Sequence, residues 1–328
     1  MITQNKRVYN TFGIDVSAAY YVDYSNTDEL KSALEVAQKP YLHIGGGSNL
    51  LFSTPLFNGT IFHNISKDID IICENSSEVI VKVGGGFIWD RFVAYTVDKG
   101  WYGAENLSLI PGEVGAAAVQ NIGAYGVEAK DIITSVETYN IESGDIRVFD
   151  NSECGYGYRK SIFKEDENKH LFVLSVTFKL SKVPIFTLSY GNLSVVIGDK
   201  PAIGDVRNAI ISIRKSKLPD PYEIGSAGSF FMNPVVSQQK FNELINLYPS
   251  MPHYDAPDGV KLAASWLIDQ CGWRGKSLGP AGVYHKQALV LVNLGGATGA
   301  DILKLAKCIV SDVEIKFGIT LRMEAQVI

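Results

Sequence analysis

Glycine is the residue that first signals chemistry in this chain. Gly45-Gly46-Gly47 closes the run Tyr41-Leu42-His43-Ile44 and leads into Ser48-Asn49, while Gly84-Gly85-Gly86 closes a second run, residues 78 to 83. A glycine triplet after a strand exposes backbone N–H groups without side-chain bulk, so it can wrap a pyrophosphate. Taken alone, such a triplet is explained at least as well by two backbones passing closely. A third stretch, SLIPGEVGAAAVQNIGAYGVE, carries Gly112, Gly115, Gly123 and Gly126 at uneven intervals. That spacing suits no single regular helix and predicts a loop-rich binding surface.

The usual nucleotide and hydrolase signatures are absent. A dinucleotide fingerprint would need a glycine where Leu50 stands, and a phosphate-binding P-loop ending in Gly275-Lys276-Ser277 would need one at Gln270. No G-x-S-x-G elbow surrounds Ser229, and His43, His63, His170, His253 and His285 lack metal-ligand spacing. The four cysteines, Cys73, Cys154, Cys271 and Cys308, form no C-x-x-C pair. They read as free thiols, and no metal site is expected.

The elements that must position these residues alternate in the first half. Leu30, Ala33, Leu34 and Ala37 give helical spacing over 27 to 38, with Asn26 and Glu29 placed as a capping box and Pro40 as a stop. Strands are expected at 41 to 44 and 78 to 83, and a helix from Trp89 to Lys99 that Gly100 ends. Residues 132 to 180 read as strands, with a hairpin turn at Ser143-Gly144. After Ala202 the texture becomes helical, over 205 to 217, 238 to 247, 259 to 271 and 301 to 317.

With 328 residues, 46% hydrophobic and 20% charged, the chain has the composition of a folded protein with room for two or three domains. A net charge of −5 argues against a phosphate-tracking nucleic-acid surface. No apolar run reaches the roughly 18 residues of a membrane span, and the first residues lack a signal-peptide core, so a cytoplasmic protein is expected.

Five segments then come together in order: IGGGSNLL (44–51), LIPGEVGAAAVQNIGAYGVE (109–128), YGYRKSIFK (156–164), GSAGSFFMNP (225–234) and LRMEAQVI (321–328). Together they resemble the UDP-N-acetylenolpyruvoylglucosamine reductases of bacterial peptidoglycan synthesis, across nearly the whole chain. The resemblance implies an α+β fold. It would comprise a vanillyl-alcohol-oxidase (PCMH)-type FAD-binding fold in two subdomains, 1–66 and 67–202, and a C-terminal α+β substrate-binding domain, 203–319, with 320–328 returning to the site. It implies FAD as cofactor, NADPH as co-substrate, and reduction of the enolpyruvyl ether of UDP-N-acetylglucosamine to UDP-N-acetylmuramate; a monomer is expected.

The same resemblance assigns roles. Gly45, Gly46, Gly47, Ser48 and Asn49 would take the flavin pyrophosphate, and Ile110, Pro111, Gly112 and Gly123 the isoalloxazine. Arg159 would pair with the substrate carboxylate, Ser229 would donate the proton, and Glu324 would orient the enolpyruvyl group. Tyr125, Tyr190, Lys217, Asn233 and Gln287 would contact the UDP-sugar, and the loop of Tyr190 is the mark of the family's type I subgroup. Ala116-Ala117 departs from the hydroxyl residues many relatives carry, so flavin contacts there would fall to backbone groups. Alternation in LRMEAQVI puts Leu321, Met323, Ala325 and Val327 on one face and Glu324 on the other.

Two other readings stay open on residues alone. An alcohol oxidase of the same fold would need no proton donor to a carbanion, and oxygen-dependent alcohol turnover would mark it. A nucleotide-binding module without catalysis would have no use for Arg159, Ser229 and Glu324 together.

Overall fold

A computed structural model describes residues 2–189, 193–198 and 201–328. Two compact units emerge, each assembled from separate stretches of chain. The first comprises residues up to Arg7, Ser17–Gly46 and Phe57–Arg214; the second comprises Val8–Val16, Gly47–Leu56 and Lys215–Ile328.

The first unit holds two sheets. The strand Tyr41–Ile44 pairs in parallel with Leu56–Asn64, beside the antiparallel strands Ser17–Tyr24 and Ile2–Arg7. A five-stranded antiparallel sheet runs in the order Ile146–Asp150, Ile133–Asn140, Leu171–Ser181, Glu78–Gly84, Ile69–Glu74. Its alternation is the cause of its packing: Val79, Val81 and Val83 are fully buried, as are Val176 and Phe178 opposite them. Onto that face α2 (Trp89–Asp98) lays Trp89, Phe92 and Val93, and α3 (Val114–Gln120) lays Val114, Ala117 and Ala118. Phe92 meets Phe178 at 4.7 Å between ring centroids. A buried phenylalanine stabilises by about 1.5–3 kcal/mol, so this aromatic layer fixes where α2 begins.

The second unit packs a four-stranded sheet (Gly225–Ser229, Val290–Asn293, Ala281–Val283, Ser277–Leu278) and a three-stranded one (Val235–Val236, Gly259–Leu262, His253–Ala256) around the long helix Gly299–Phe317. That helix begins with a Thr298–Asp301 capping box and ends at Gly318, whose φ is +63°. The C-terminal strand Gln326–Val327 lies parallel to Leu50–Leu51.

Several local expectations shift. The first helix, α1, spans only Thr27–Leu34. Asn26 caps it by accepting the Glu29 N–H, but the Glu29 carboxylate accepts from Ser25 N–H instead of closing the box. Residues 259–271 are a strand followed by a helix, Ala264–Gln270, because Val260 and Leu262 are buried at a spacing of two and Asn233 Oδ1 accepts the Ala264 N–H that starts the helix. The glycine-rich stretch is less loop-like than its spacing indicates, since α3 forms inside it. At the C-terminus Leu321 and Ala325 are buried, but Val327 is exposed and only two residues form a strand.

Candidate active site

In the first unit, the strand Tyr41–Ile44 delivers Gly45 and Gly46, whose amides have no backbone partner among the described residues. A Cβ at Gly45 would lie 2.9 Å from the Ala116 methyl, and one at Gly46 would lie 3.6 Å from Gly112 Cα. The turn and the Ile110-Pro111-Gly112 segment therefore lie side by side, joined by residues without side chains. Glu113 sits behind them, 3.3 Å from the Cβ position of Gly45. A carboxylate there would oppose a phosphate, but His63 bridges Glu113 (Nε2 to Oε1, 3.1 Å) and Asp23 (Nδ1 to Oδ1, 2.9 Å). Burial disfavours the imidazolium, yet the hydrogen bonds and charges of Glu113 and Asp23 outweigh it and raise the histidine above its ordinary range. When protonated, the His63 ring is the counter-ion of Glu113.

Arg159 occupies a left-handed backbone, φ +56°, and donates from Nη2 to the Gly123 carbonyl at 2.8 Å. A Cβ on Gly123 would come within 3.0 Å of Arg159 Nη1, so this glycine makes room for the guanidinium. Tyr125, also left-handed at φ +49°, packs on Leu193, Val206 and Ile210. Arg214 shares the region. Its Nε is buried without a hydrogen-bond partner, and burial foremost, with the nearby charge of Arg159, depresses its pKa against the opposing charges of Tyr125 and Asp90. Arg214 thus adds a second guanidinium to the charges around Tyr125 and Asp90, with its Nε unbonded. Sequence reading missed Arg214; the signal was its seven-residue spacing from Arg207 along the helix Ile203–Lys217, which puts both on one face.

The second unit gathers Ser229 and Glu324. The pairing of Gly225–Ser229 with Val290–Asn293 slips by one residue between Ser226 and Ser229, at Gly228 with φ +67°, and this bulge re-aims the strand end. Beyond it Phe230 and Phe231 are fully buried, Phe230 N–H donates to the Leu289 carbonyl, and Glu324 N–H donates to the Phe230 carbonyl at 2.8 Å. Ser229, at the end of its strand, and Glu324, in the segment tied to the Phe230 carbonyl, are therefore held by anchored neighbours. The Ser229 hydroxyl makes no hydrogen bond among the described residues, so its proton is uncommitted.

The other predicted residues divide by role. Asn49 donates to the Glu324 carbonyl at 3.2 Å and accepts from Gln326 N–H through its own carbonyl, which ties down the C-terminal segment. Gly47, φ +65°, has the Tyr9 carbonyl 2.3 Å from its Cβ position, and the Ser48 carbonyl accepts from the Thr11 hydroxyl. Asn233 caps a helix, Gln287 accepts from Leu289 N–H, and Lys217 ends its helix exposed. Tyr190 lies outside the described residues.

Residues 18–150 match the FAD binding domain model, and residues 220–328 match the C-terminal domain of UDP-N-acetylenolpyruvoylglucosamine reductase. A reductase of that name from Bacteroides fragilis is 54% identical, covering 98% of this chain and 97% of its own length. The chain belongs to the UDP-N-acetylenolpyruvoylglucosamine reductase family. It is an FAD-dependent oxidoreductase. The family's representative from Porphyromonas gingivalis is 47% identical over 97% of the chain and 96% of its own length. The crystal structure of the Thermus caldophilus member shares the fold, with a TM-score of 0.71 at 24% identity, covering 100% of this chain and 98% of the other. The residues present suit a flavin dinucleotide in kind, offering open amides at Gly45 and Gly46 and a segment without polar side chains at Ile110-Pro111-Gly112. Among the described residues no helix is long and apolar enough to cross a membrane, and no cluster of side chains could hold a metal ion.

Proposed function

We propose that this reductase converts UDP-N-acetyl-3-O-(1-carboxyvinyl)-glucosamine to UDP-N-acetylmuramate at the expense of NADPH, with Ser229 as proton donor. The uncommitted Ser229 hydroxyl, fixed on a strand beside Glu324, is the observation that carries the reading. Bound FAD would supply the hydride chemistry that couples NADPH oxidation to reduction of the substrate's vinyl group. Gly45 to Asn49 and Ile110, Pro111, Gly112 and Gly123 are the residues proposed to hold it.

Addition at the vinyl carbon leaves negative charge on the α carbon and its carboxylate. Arg159, with Arg214 near it, supplies positive charge for that carboxylate, and the benefit grows as charge develops. Glu324 orients the enolpyruvyl group. Ser229 Oγ gives its proton to the α carbon and regains one from water, a step open to a neutral hydroxyl because the carbanion is strongly basic. Tyr125, Tyr190, Lys217, Asn233 and Gln287 are the proposed UDP-sugar contacts. The Tyr190 loop motivates the type I assignment, and the domain division at 66, 202 and 319, the monomer and the cytoplasmic location belong to the same reading.

Ser229→Ala should still let NADPH bleach the flavin while turnover of the enolpyruvyl substrate falls about 10²-fold or more. Near-normal turnover removes Ser229 as the donor. Loss of bleaching as well would mean that the substitution disturbs the flavin and not the proton step.

A further inference from the structure

Five non-glycine residues among those described hold a left-handed backbone, and four of them, Leu109, Asn121, Tyr125 and Arg159, fall between residues 109 and 159. Such strain persists only where the surroundings over-determine it, and it concentrates at functional sites. Asn121 compensates through its own side chain, which bonds Glu128, the Gly157 carbonyl and Lys130 N–H. Leu109, at φ +58°, has no polar side chain with which to do so. Its support comes from elsewhere.

The Leu109 N–H donates to Asp90 Oδ1 at 2.5 Å. Arg207 grips the same carboxylate, Nη1 to Oδ1 at 2.7 Å and Nη2 to Oδ2 at 3.0 Å, in the paired geometry that fixes a carboxylate's orientation. Burial would raise the Asp90 pKa, but the bonds from Arg207 and Leu109, with the charges of Arg207 and Arg214, hold it below the usual carboxylate range. Asp90 and its neighbour Trp89 open α2, and they bind the 107–112 segment at three points. Trp89 Nε1 donates to the Leu107 carbonyl at 2.9 Å, Asp90 accepts from Leu109, and Trp89 N–H donates to the Gly112 carbonyl at 3.0 Å. Both ends of Leu109-Ile110-Pro111-Gly112 are thereby fixed to one turn of one helix.

We propose that Asp90, oriented by Arg207, is a positioning residue for the flavin: it holds Leu109 left-handed and so aims the Ile110-Pro111-Gly112 segment. This rests on the assignment of that segment to the isoalloxazine.

The test uses the purified holoenzyme, reading the visible absorption of bound flavin and the fluorescence of FAD released on dilution. Asp90→Ala should release FAD about tenfold more readily and shift the flavin bands, and adding Leu109→Gly should restore most of both, because glycine adopts that backbone without help. A packing role alone predicts no such rescue. Unchanged FAD retention in Asp90→Ala overturns the proposal, as does a folded double variant no better than the single one. Should Asp90→Ala fail to fold, Arg207→Gln, with and without Leu109→Gly, carries the same pair of expectations and is overturned by the same two results. Ile110→Glu separates the underlying assignment: normal FAD retention there would mean the segment does not bear the flavin, and both readings fall. Impaired retention there with a normal Asp90→Ala removes only the positioning role.

Discussion

The two glycine triplets follow strands in the same way and read alike in the sequence, yet the structure uses them differently. At 84–86 every missing side chain is accounted for by neighbouring backbone or a buried amide: a Cβ would lie 2.8 Å from the Ser66 carbonyl oxygen at Gly84, 2.7 Å from Asn64 Nδ2 at Gly85 and 2.2 Å from the Asn64 carbonyl oxygen at Gly86. Asn64 itself is buried and donates to the Val173 and Leu174 carbonyls. In the first triplet Gly45 and Gly47 are also hemmed in, by the Ala116 methyl at 2.9 Å and the Tyr9 carbonyl oxygen at 2.3 Å, but the amides of 45–46 are open and a Cβ on Gly46 would meet nothing closer than 3.6 Å. A glycine run thus reports the need for absent side chains, while the reason for the absence lies in residues far away in sequence.

Substitution breaks the comparison most strongly at the second triplet. Gly86→Ala should destabilise the protein by about 3 kcal/mol or more, since a methyl 2.2 Å from a carbonyl oxygen forces two backbones apart. Chemical denaturation would measure it, and a loss under about 1 kcal/mol would mean this turn is not close-packed. Gly46→Ala should behave in the opposite way. The methyl fits in van der Waals contact, so stability should change by no more than about 0.5 kcal/mol, but it fills space between the turn and Gly112. FAD retention on dilution should therefore fall about tenfold, a change of about 1.4 kcal/mol in binding. Full retention would put the first triplet in the same class as the second.

How much of this was legible beforehand follows from the same contrast. Local rules placed the strand Tyr41–Ile44, the end of α2 at Gly100 and the hairpin turn at Gly144, because each depends on residues within a few positions. The family and its flavin chemistry were legible from five ordered segments. What could not be read was anything set by distant partners. Glu113 gave no sign of its histidine fifty residues earlier, nor Leu109 of its dependence on Asp90 and Arg207. The strand at Gly259–Leu262 hides inside a helical pattern because alternating and helical burial coincide over four residues. Likewise, nothing in the sequence shows that Val8–Val16 and Gly47–Leu56 fold with the C-terminal part of the chain.

The smallest expected effect concerns what lies behind the first triplet. His63 is raised by its two carboxylate partners, so its folded-state pKa exceeds its unfolded value. Its contribution is then fully present below about pH 6.5, the unfolded imidazole value, and is lost as pH rises through the folded value. The expected size is about 1 kcal/mol or less, because the ring and both carboxylates remain partly exposed. His63→Gln should flatten this part of the stability profile while keeping hydrogen bonding possible. Cofactor retention gives a second readout. If His63 matters because it neutralises Glu113 next to Gly45, FAD retention in the parent protein should weaken over the same pH interval, and in Glu113→Gln it should not. A fall that persists in Glu113→Gln would assign the pH response to some other group, leaving the histidine as an anchor between strands and nothing more.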